Sequence, residues 1–356
     1  MEIQENVPLA PFTTLRVGGP ARFFTEAISV NEVREAVAFA KSHDAPLFVL
    51  GGGSNLVISD QGWPGLVLKV GILGINHRHG DNRTAYFDAG AGESWDDFVA
   101  IAVRHNCSGI ECLSGIPGTV GGTPVQNVGA YGQEVSNTID SVVALHIETA
   151  REEEFGKEDC GFAYRTSHFS RGAKGLYIIL RVSFALTHGG EPRITYSDLN
   201  RHFGDKARPS LAEVRQAVLE IRNSKAMLIR PGDEDSQSAG SFFKNPVVSL
   251  FHFDELNEKA LTRGVRIPNF PTGVAQRKIP AAWLVEHSGF PKGYRSGRVG
   301  ISRKHALAVV NRGGASAEEI VRFKDEIQQR VQQQWGVRLE MEPVLVGFDQ
   351  SPVASR

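Results

Sequence analysis

Two glycine-rich stretches carry the residue types and spacing that could do chemistry. The first, GGGSN at 51–55, directly follows the apolar run PLFVL at 46–50. The second, SGIPGTVGGTPVQNVGAYGQE at 114–134, has six glycines, at 115, 118, 121, 122, 129 and 132, and no charge before Glu134. Glycine admits positive φ and lets backbone amides approach a ligand closely. Successive amides in such turns form a concavity for anions, and phosphate is the usual guest. Gly51, Gly52 and Gly53 supply that backbone in the first stretch, and Ser54 and Asn55 add side-chain donors. In isolation GGGSN reads first as a tight turn leaving a buried strand, because it is neither a G-x-G-x-x-G fingerprint nor a Walker motif. The second stretch changes the weighing. Without a nearby Lys or Arg it would hold phosphate by amides, while Ile116, Pro117, Val120, Val128 and Tyr131 offer apolar faces to a flat ring. Gln126 and Asn127 offer hydrogen bonds to ring edges. Such a neutral loop suits a dinucleotide with an aromatic head, and long loops of this kind are uncommon in compact domains unless functional.

The elements that must position these loops announce themselves locally. Ser29 with Glu32, Ser94 with Asp97, Ser210 with Glu213 and Ser316 with Glu319 have capping-box spacing ahead of apolar residues at helical intervals. The last opens a long helix through Ile320, Phe323, Ile327 and Val331, with Gly336 as its stop. Strands are expected at 46–50, 65–70, 85–92, 141–147, 176–186, 305–311 and 337–347. The run LYIILRVSFAL at 176–186 alternates poorly at its start, which suits a strand covered on both faces. HRHGDNR at 77–83 reads as a polar turn, and a solvated loop is preferred there to a metal role for His77 and His79. The class is α+β. The polar run RPGDEDSQSAG at 230–240 places a domain change near 222–225.

Composition narrows the function classes. The 356 residues are 41% hydrophobic and 22% charged with a formal charge of −1 and no long run of one sign, which argues against the clustered basic footprint of a general nucleic-acid binder. No secretory signal opens the chain, and no run approaches the ~18 apolar residues of a membrane span. Cys107, Cys112 and Cys160 are odd in number and lack paired metal spacing, so they read as reduced, buried thiols of a cytoplasmic protein. No apolar stripe lacks an intramolecular use, which favours a monomer.

Six segments in order then point to a family: TTLRVGGPARFF (13–24), VLGGGSNLVISD (49–60), GIECLSGIPGTVGGTPVQNVGAYGQEV (109–135), FAYRTSHF (162–169), GSFFKNPVV (240–248) and HALAVVN (305–311). Together they resemble the UDP-N-acetylenolpyruvoylglucosamine reductases, also called UDP-N-acetylmuramate dehydrogenases, over roughly residues 10–347. The resemblance implies a two-part FAD-binding region of the vanillyl-alcohol-oxidase-like type over 1–222, split near 65. A C-terminal α+β substrate domain over 223–356, with a catalytic C-terminal strand, would follow. It implies non-covalent FAD, NADPH as reductant, and reduction of UDP-N-acetylglucosamine-enolpyruvate to UDP-N-acetylmuramate in peptidoglycan precursor synthesis, with no nucleic-acid, membrane or metal partner. RITYSDLNRHF at 193–203 resembles the extra segment of the longer family type, with Tyr196 as its substrate-covering tyrosine.

By the same resemblance, the FAD contacts fall on Gly51, Gly52, Gly53, Ser54, Asn55, Ser114, Gly115, Ile116, Pro117, Gly118, Gly121, Gly122, Asn127, Gly129, Ala130, Tyr131 and Gly132. Arg165 matches the catalytic arginine, and its planar, permanent charge suits a carboxylate and a growing enolate. Ser241 matches the proton donor, a weak acid facing a strongly basic carbanion. Glu342 matches the C-terminal glutamate, but the family's preceding proline is absent; Met341 precedes it and Pro343 follows, and Glu340 stays a rival. Lys225, Asn245 and His305 correspond to residues that bind the diphosphate and sugar, although RPGDEDSQ lengthens the spacing from Lys225 to Ser241. Two other readings remain. One is a carbohydrate or alcohol oxidase of the same flavin fold, for which Cys107 and Cys112 are the only nearby attachment candidates. The other is a non-catalytic nucleotide-sugar or flavin-binding module.

Overall fold

A computed structural model describes residues 1–204 and 208–348. The chain divides into two compact units. One comprises Met1–Val7, Ala21–Gly53 and Trp63–Leu228; the other comprises Pro8–Pro20, Ser54–Gly62 and the described residues from Ile229 onward. The change of unit after the last long helix of the first therefore falls at Leu228, and two short N-terminal stretches belong with the C-terminal unit.

In the first unit, Pro20–Ala27 and Leu47–Leu50 flank Trp63–Val70 in parallel, and Gln4–Pro8 lies at the edge. The crossover is the helix Val30–Ser42, whose Val33, Ala36, Val37 and Ala40 are buried. Its N-cap works as the sequence indicates: Ser29 accepts from the Glu32 amide. A larger antiparallel sheet runs in the order Glu152–Gly156, Ile139–His146, Tyr177–His188, Thr84–Gly90 and Ile75–His79. Tyr177–His188 is interior to that sheet, and Ile178, Ile179, Leu180, Val182, Ser183 and Phe184 are all buried, so its early residues need not alternate.

Two local expectations change. Of the polar stretch 77–83, His77–His79 end the edge strand Ile75–His79, with His77 opposite Phe87 and stacked on its ring at 4.5 Å, while 80–83 make the turn into Thr84–Gly90. Solvation of one face allows so polar a strand. Ser94 begins the helix Trp95–Arg104 but makes no side-chain cap bond; its backbone bridges Thr119 instead.

In the second unit, the helix Ala317–Trp335 buries Ile320, Phe323, Ile327, Val331 and Trp335. Ser316 and Glu319 make the full reciprocal capping box, and Gly336 closes the helix at φ 69°. Small antiparallel sheets form from Val247–Ser249, Gln276–Lys278 and Phe270–Thr272, and from Arg295–Ser296, Val299–Ile301 and Val309–Asn311. The expected strand at 305–311 is regular only from Val309, because the Ala308 amide turns back to the His305 carbonyl. The expected strand at 337–347 reduces to Val344–Val346, parallel to Leu56–Ile58, with an isolated bridge at Met341. Among the described residues no helix is long and apolar enough to cross a membrane.

Candidate functional site

The two glycine stretches meet within the first unit. A side-chain carbon added at Gly52 would lie 2.5 Å from the Gly118 Cα, so the backbones touch where GGG crosses PGT. Gly53 holds φ 63° and Gly118 holds φ 129°, both conformations that favour glycine. The amides of Gly52, Gly53, Gly118 and Thr119 donate to no acceptor among the described residues. A close backbone crossing with several unpaired N–H groups is the geometry an anion cradle needs, and the residues present fit a phosphate-bearing cofactor.

The rest of the second stretch is more ordered than one open loop. Gly121 and Gly122 donate to the Ala91 and Thr119 carbonyls. Gly115 is held at both ends: its N–H reaches Asp96 Oδ1 at 2.6 Å, and its carbonyl accepts from Arg222 Nε at 3.0 Å. Ser114 is fully buried, its hydroxyl donating to the Glu111 carbonyl at 2.7 Å. Gly129–Ala130 and Gln133–Glu134 form a two-residue hairpin with Tyr131 and Gly132 at φ 49° and 86°. The buried Glu111 accepts from the Gln133 amide at 2.9 Å, and Gln133 in turn accepts from the Cys112 N–H at 2.8 Å. Asn127 is 1% exposed and fully engaged: Nδ2 donates to Glu134 Oε2 at 3.0 Å and to the Ala163 carbonyl at 3.1 Å, while Oδ1 accepts from the Ser136 N–H at 3.1 Å. Ile116 and Pro117 remain partly buried beside Gly118.

Sequence reasoning passed over the residues that fasten this stretch. Burial alone would raise the Asp96 carboxyl, but the hydrogen bonds from Arg215 and the Gly115 amide, with the Arg215 and Arg222 charges, hold it below the usual carboxylate range. Arg215 binds it bidentately at 2.6 and 2.9 Å. The readable signal was an aspartate in the first turn of a helix; its partner lies 119 positions away.

Arg165 sits at the tip of a two-residue turn closed by reciprocal Ala163–Thr166 backbone bonds. Its φ is 54°, a left-handed conformation costing about 1–2 kcal/mol for a non-glycine residue. Nη2 donates to the Gly129 carbonyl at 2.7 Å, and the guanidinium lies 5.4 Å from the Tyr164 ring centre. A side-chain carbon at Gly129 would stand 3.1 Å from Arg165 Nη1, so this approach requires a small residue.

Lys225 also belongs to the first unit, not to the C-terminal part assigned to it from sequence. Its ammonium pairs with Asp198 and lies 6.0 Å from the Tyr131 ring centre. Tyr196, 43% exposed, packs edge-on to Tyr131 at 5.4 Å. Burial raises both phenols above their ordinary value. The glycine hairpin, the Tyr196 segment and Lys225 thus converge.

Within the second unit, Ser241, Asn245, His305 and Glu342 lie along one irregular ribbon. The Phe242 amide donates to the Leu307 carbonyl at 2.8 Å, and the Glu342 amide donates to the Phe242 carbonyl at 3.0 Å. Pairing of Phe243 with Met341 sets the register, bringing Glu342 beside the Ser241–Phe242 step. The two candidate glutamates differ in exposure, Glu342 being half-buried. Glu340 is 76% exposed and pairs with Lys244 at 3.6 Å, whereas the Glu342 carbonyl accepts from Asn55 Nδ2 at 3.3 Å. Asn55 also accepts from the Val344 amide at 2.9 Å, and the Ser54 carbonyl accepts from Thr14 at 3.4 Å, so the end of GGGSN fastens the glutamate segment. The Ser241 hydroxyl makes no hydrogen bond among the described residues. Asn245 Oδ1 accepts from the Ala281 N–H at 2.9 Å, holding the start of the helix Ala281–Glu286. His305 Nδ1 accepts from the Leu307 N–H at 3.0 Å, which leaves the proton of the neutral ring on Nε2. All three cysteines are buried free thiols; burial pushes Cys160 up to about 12 and Cys112 higher still, so neither is a ready nucleophile.

A family model described as UDP-N-acetylenolpyruvoylglucosamine reductase, C-terminal domain, matches residues 231–346, and one described as FAD binding domain matches 21–154. Over 348 residues the chain is 43% identical to the UDP-N-acetylenolpyruvoylglucosamine reductase of Thermobifida fusca, covering 96% of this chain and 97% of that protein. The Pseudomonas syringae protein of the same name is 37% identical over 97% of this chain and 99% of its own length. The crystal structure of UDP-N-acetylenolpyruvylglucosamine reductase from Thermus caldophilus superposes with a TM-score of 0.65 at 27% identity, covering 97% and 99% of the two chains.

Proposed function

The chain belongs to the UDP-N-acetylenolpyruvoylglucosamine reductase family of FAD-binding oxidoreductases, and from that premise we propose that it uses NADPH to reduce UDP-N-acetylglucosamine-enolpyruvate to UDP-N-acetylmuramate, a step of peptidoglycan precursor synthesis. The observation that carries the reading is the crossing of two glycine turns with unpaired amides at Gly52, Gly53, Gly118 and Thr119 in a chain related to that family over nearly its whole length. Those amides would hold the FAD pyrophosphate, with the apolar residues of 116–131 against its ring. Bound FAD supplies two-electron chemistry between a nicotinamide and a vinyl carbon.

The chain's own residues do the rest. Hydride at one vinyl carbon leaves negative charge on the neighbouring carbon and its carboxylate. Arg165 holds that carboxylate and absorbs the charge as it grows, which a fixed, permanently ionised fork does without reorganising. The Ser241 hydroxyl, engaged by no described residue, gives its proton to the carbanionic carbon, so that hydride and proton together saturate the double bond. Glu342, fixed through its backbone to Phe242 and Asn55, assists the proton delivery. Lys225 and Tyr196 receive the diphosphate and close over the substrate, with Asn245 Nδ2 and His305 Nε2 as donors to the nucleotide-sugar.

An anaerobic experiment tests this directly. NADPH should bleach the flavin of the purified holoenzyme, and UDP-N-acetylglucosamine-enolpyruvate should then restore the yellow colour with release of UDP-N-acetylmuramate. A reduced flavin that the enolpyruvyl sugar leaves colourless would refute the assignment.

A further inference from the structure

We infer that Asn127 is a positioning residue for Arg165, fastening the turn that carries the guanidinium to the glycine-rich stretch. The inference rests on the catalytic reading of Arg165 given above and deepens it. The turn 163–166 is only two residues wide at its tip and holds its arginine in a left-handed conformation. Such a conformation persists when the surroundings over-determine it. Three bonds run from this turn and the residue after it to the stretch 125–129. Asn127 Nδ2 donates to the Ala163 carbonyl at 3.1 Å, Ser167 Oγ donates to the Val125 carbonyl at 2.7 Å, and Arg165 Nη2 donates to the Gly129 carbonyl at 2.7 Å.

Asn127 is suited to the task by chemistry. Its carboxamide has two N–H donors and an acceptor on one short arm, and all are engaged while the residue is 1% exposed. Its φ of 44° is one asparagine tolerates better than other side chains. No ring edge of a ligand is needed to account for the residue. Its Nδ2 ties the Ala163 end of the arginine turn to Glu134, so displacement of the glycine hairpin is transmitted to the guanidinium. Catalysis is sensitive to displacements of about 1 Å, which can cost ~100-fold.

Asn127→Asp tests the tie in the FAD-loaded enzyme. The substitution keeps the shape and the acceptor for Ser136, but turns both donors into lone pairs facing the Ala163 carbonyl and the Glu134 carboxylate. Reoxidation of the reduced flavin by UDP-N-acetylglucosamine-enolpyruvate should slow at least ~10-fold while reduction by NADPH is unchanged. Adding Glu134→Gln gives the introduced carboxylate a donor on that side alone. The double variant should regain FAD affinity and thermal midpoint, yet reoxidise slowly, because the Ala163 bond is still missing. Ser167→Ala, which removes the tie to Val125, should show the same split should Asn127→Asp fail to fold. Wild-type reoxidation rates in these variants overturn the inference, as does a loss of FAD affinity, stability and both half-reactions together that the double variant restores together. A wild-type enzyme that the enolpyruvyl sugar cannot reoxidise removes the reading of Arg165, and the inference with it.

Discussion

Gly52→Ala puts the glycine crossing to a quantitative test. The new methyl carbon would lie 2.5 Å from the Gly118 Cα and 2.9 Å from the Gly118 carbonyl carbon. Carbon atoms rest at about 3.5–4.0 Å, so the backbones must separate by roughly 1 Å. Neither partner is a flexible side chain that could swing aside. Overpacking of this kind costs about 1–3 kcal/mol, and at 1.4 kcal/mol per decade that is roughly a 5- to 150-fold weaker hold on FAD if the strain falls on the binding-competent crossing. Gly172→Ala, outside the named FAD contacts, is the matched control: no heavy atom lies within 4 Å of its new carbon. Titration of each apoprotein with FAD, followed by quenching of flavin fluorescence, gives the dissociation constants. The reasoning fails if Gly52→Ala takes up FAD like wild type, or if Gly172→Ala weakens binding as much.

Ser241→Ala should slow flavin reoxidation by the enolpyruvyl sugar ~10²–10⁴-fold in stopped flow and leave reduction by NADPH intact, since only the proton donor is lost; equal slowing of both steps contradicts the role. Arg165→Lys should cut turnover strongly although the charge is kept, because an ammonium cannot present a planar fork; steady-state rates near wild type would count against a carboxylate clamp. Asp235→Asn should cost about 2–3 kcal/mol of stability at pH 7, measured by urea unfolding. That buried carboxylate accepts from the Arg303 amide at 2.9 Å and Nε at 2.7 Å. Burial alone would raise Asp235, but the Arg303 bonds and the Arg303 and Arg312 charges outweigh it, so its folded value lies below the ordinary ~3.9. The stabilisation is therefore complete above about pH 4 and disappears as the pH falls through the folded value, so the gap between variant and wild type should close in acid; a gap constant down to pH 2 would refute the ion-pair account.

Much of the fold was legible where the signal is local. Ser210 with Glu213 and Ser316 with Glu319 form reciprocal caps, and Gly336 ends its helix left-handed, because each bond joins residues at most four apart. Ser94 misled for the complementary reason: the residues on either side of it pair with a distant segment, the Trp95 amide donating to the Gly118 carbonyl and the Glu93 carbonyl accepting from the Val120 amide, and its side chain leaves the cap unmade. The polar stretch around His77 became an edge strand because Thr84–Gly90 offered it a ladder, and composition carries no notice of that offer.

The chain by itself determined that two uncharged glycine turns would present amides, that Arg165 and Ser241 stand in segments resembling a family's catalytic ones, and that the class is α+β. Those follow from backbone freedom, side-chain chemistry and short-range periodicity. Only tertiary structure decided that Gly52 is sterically locked against Gly118 whereas Gly122 has room, and that Asn127 is bound up in holding the arginine turn. It also left the Glu340 side chain exposed beside Lys244 and Glu342 half-buried, with the Glu342 backbone bonded to Phe242 and Asn55. Each of these outcomes is a contact between residues distant in the chain, set by how strands register and loops cross, and a one-dimensional pattern assigns alike to both members of each pair.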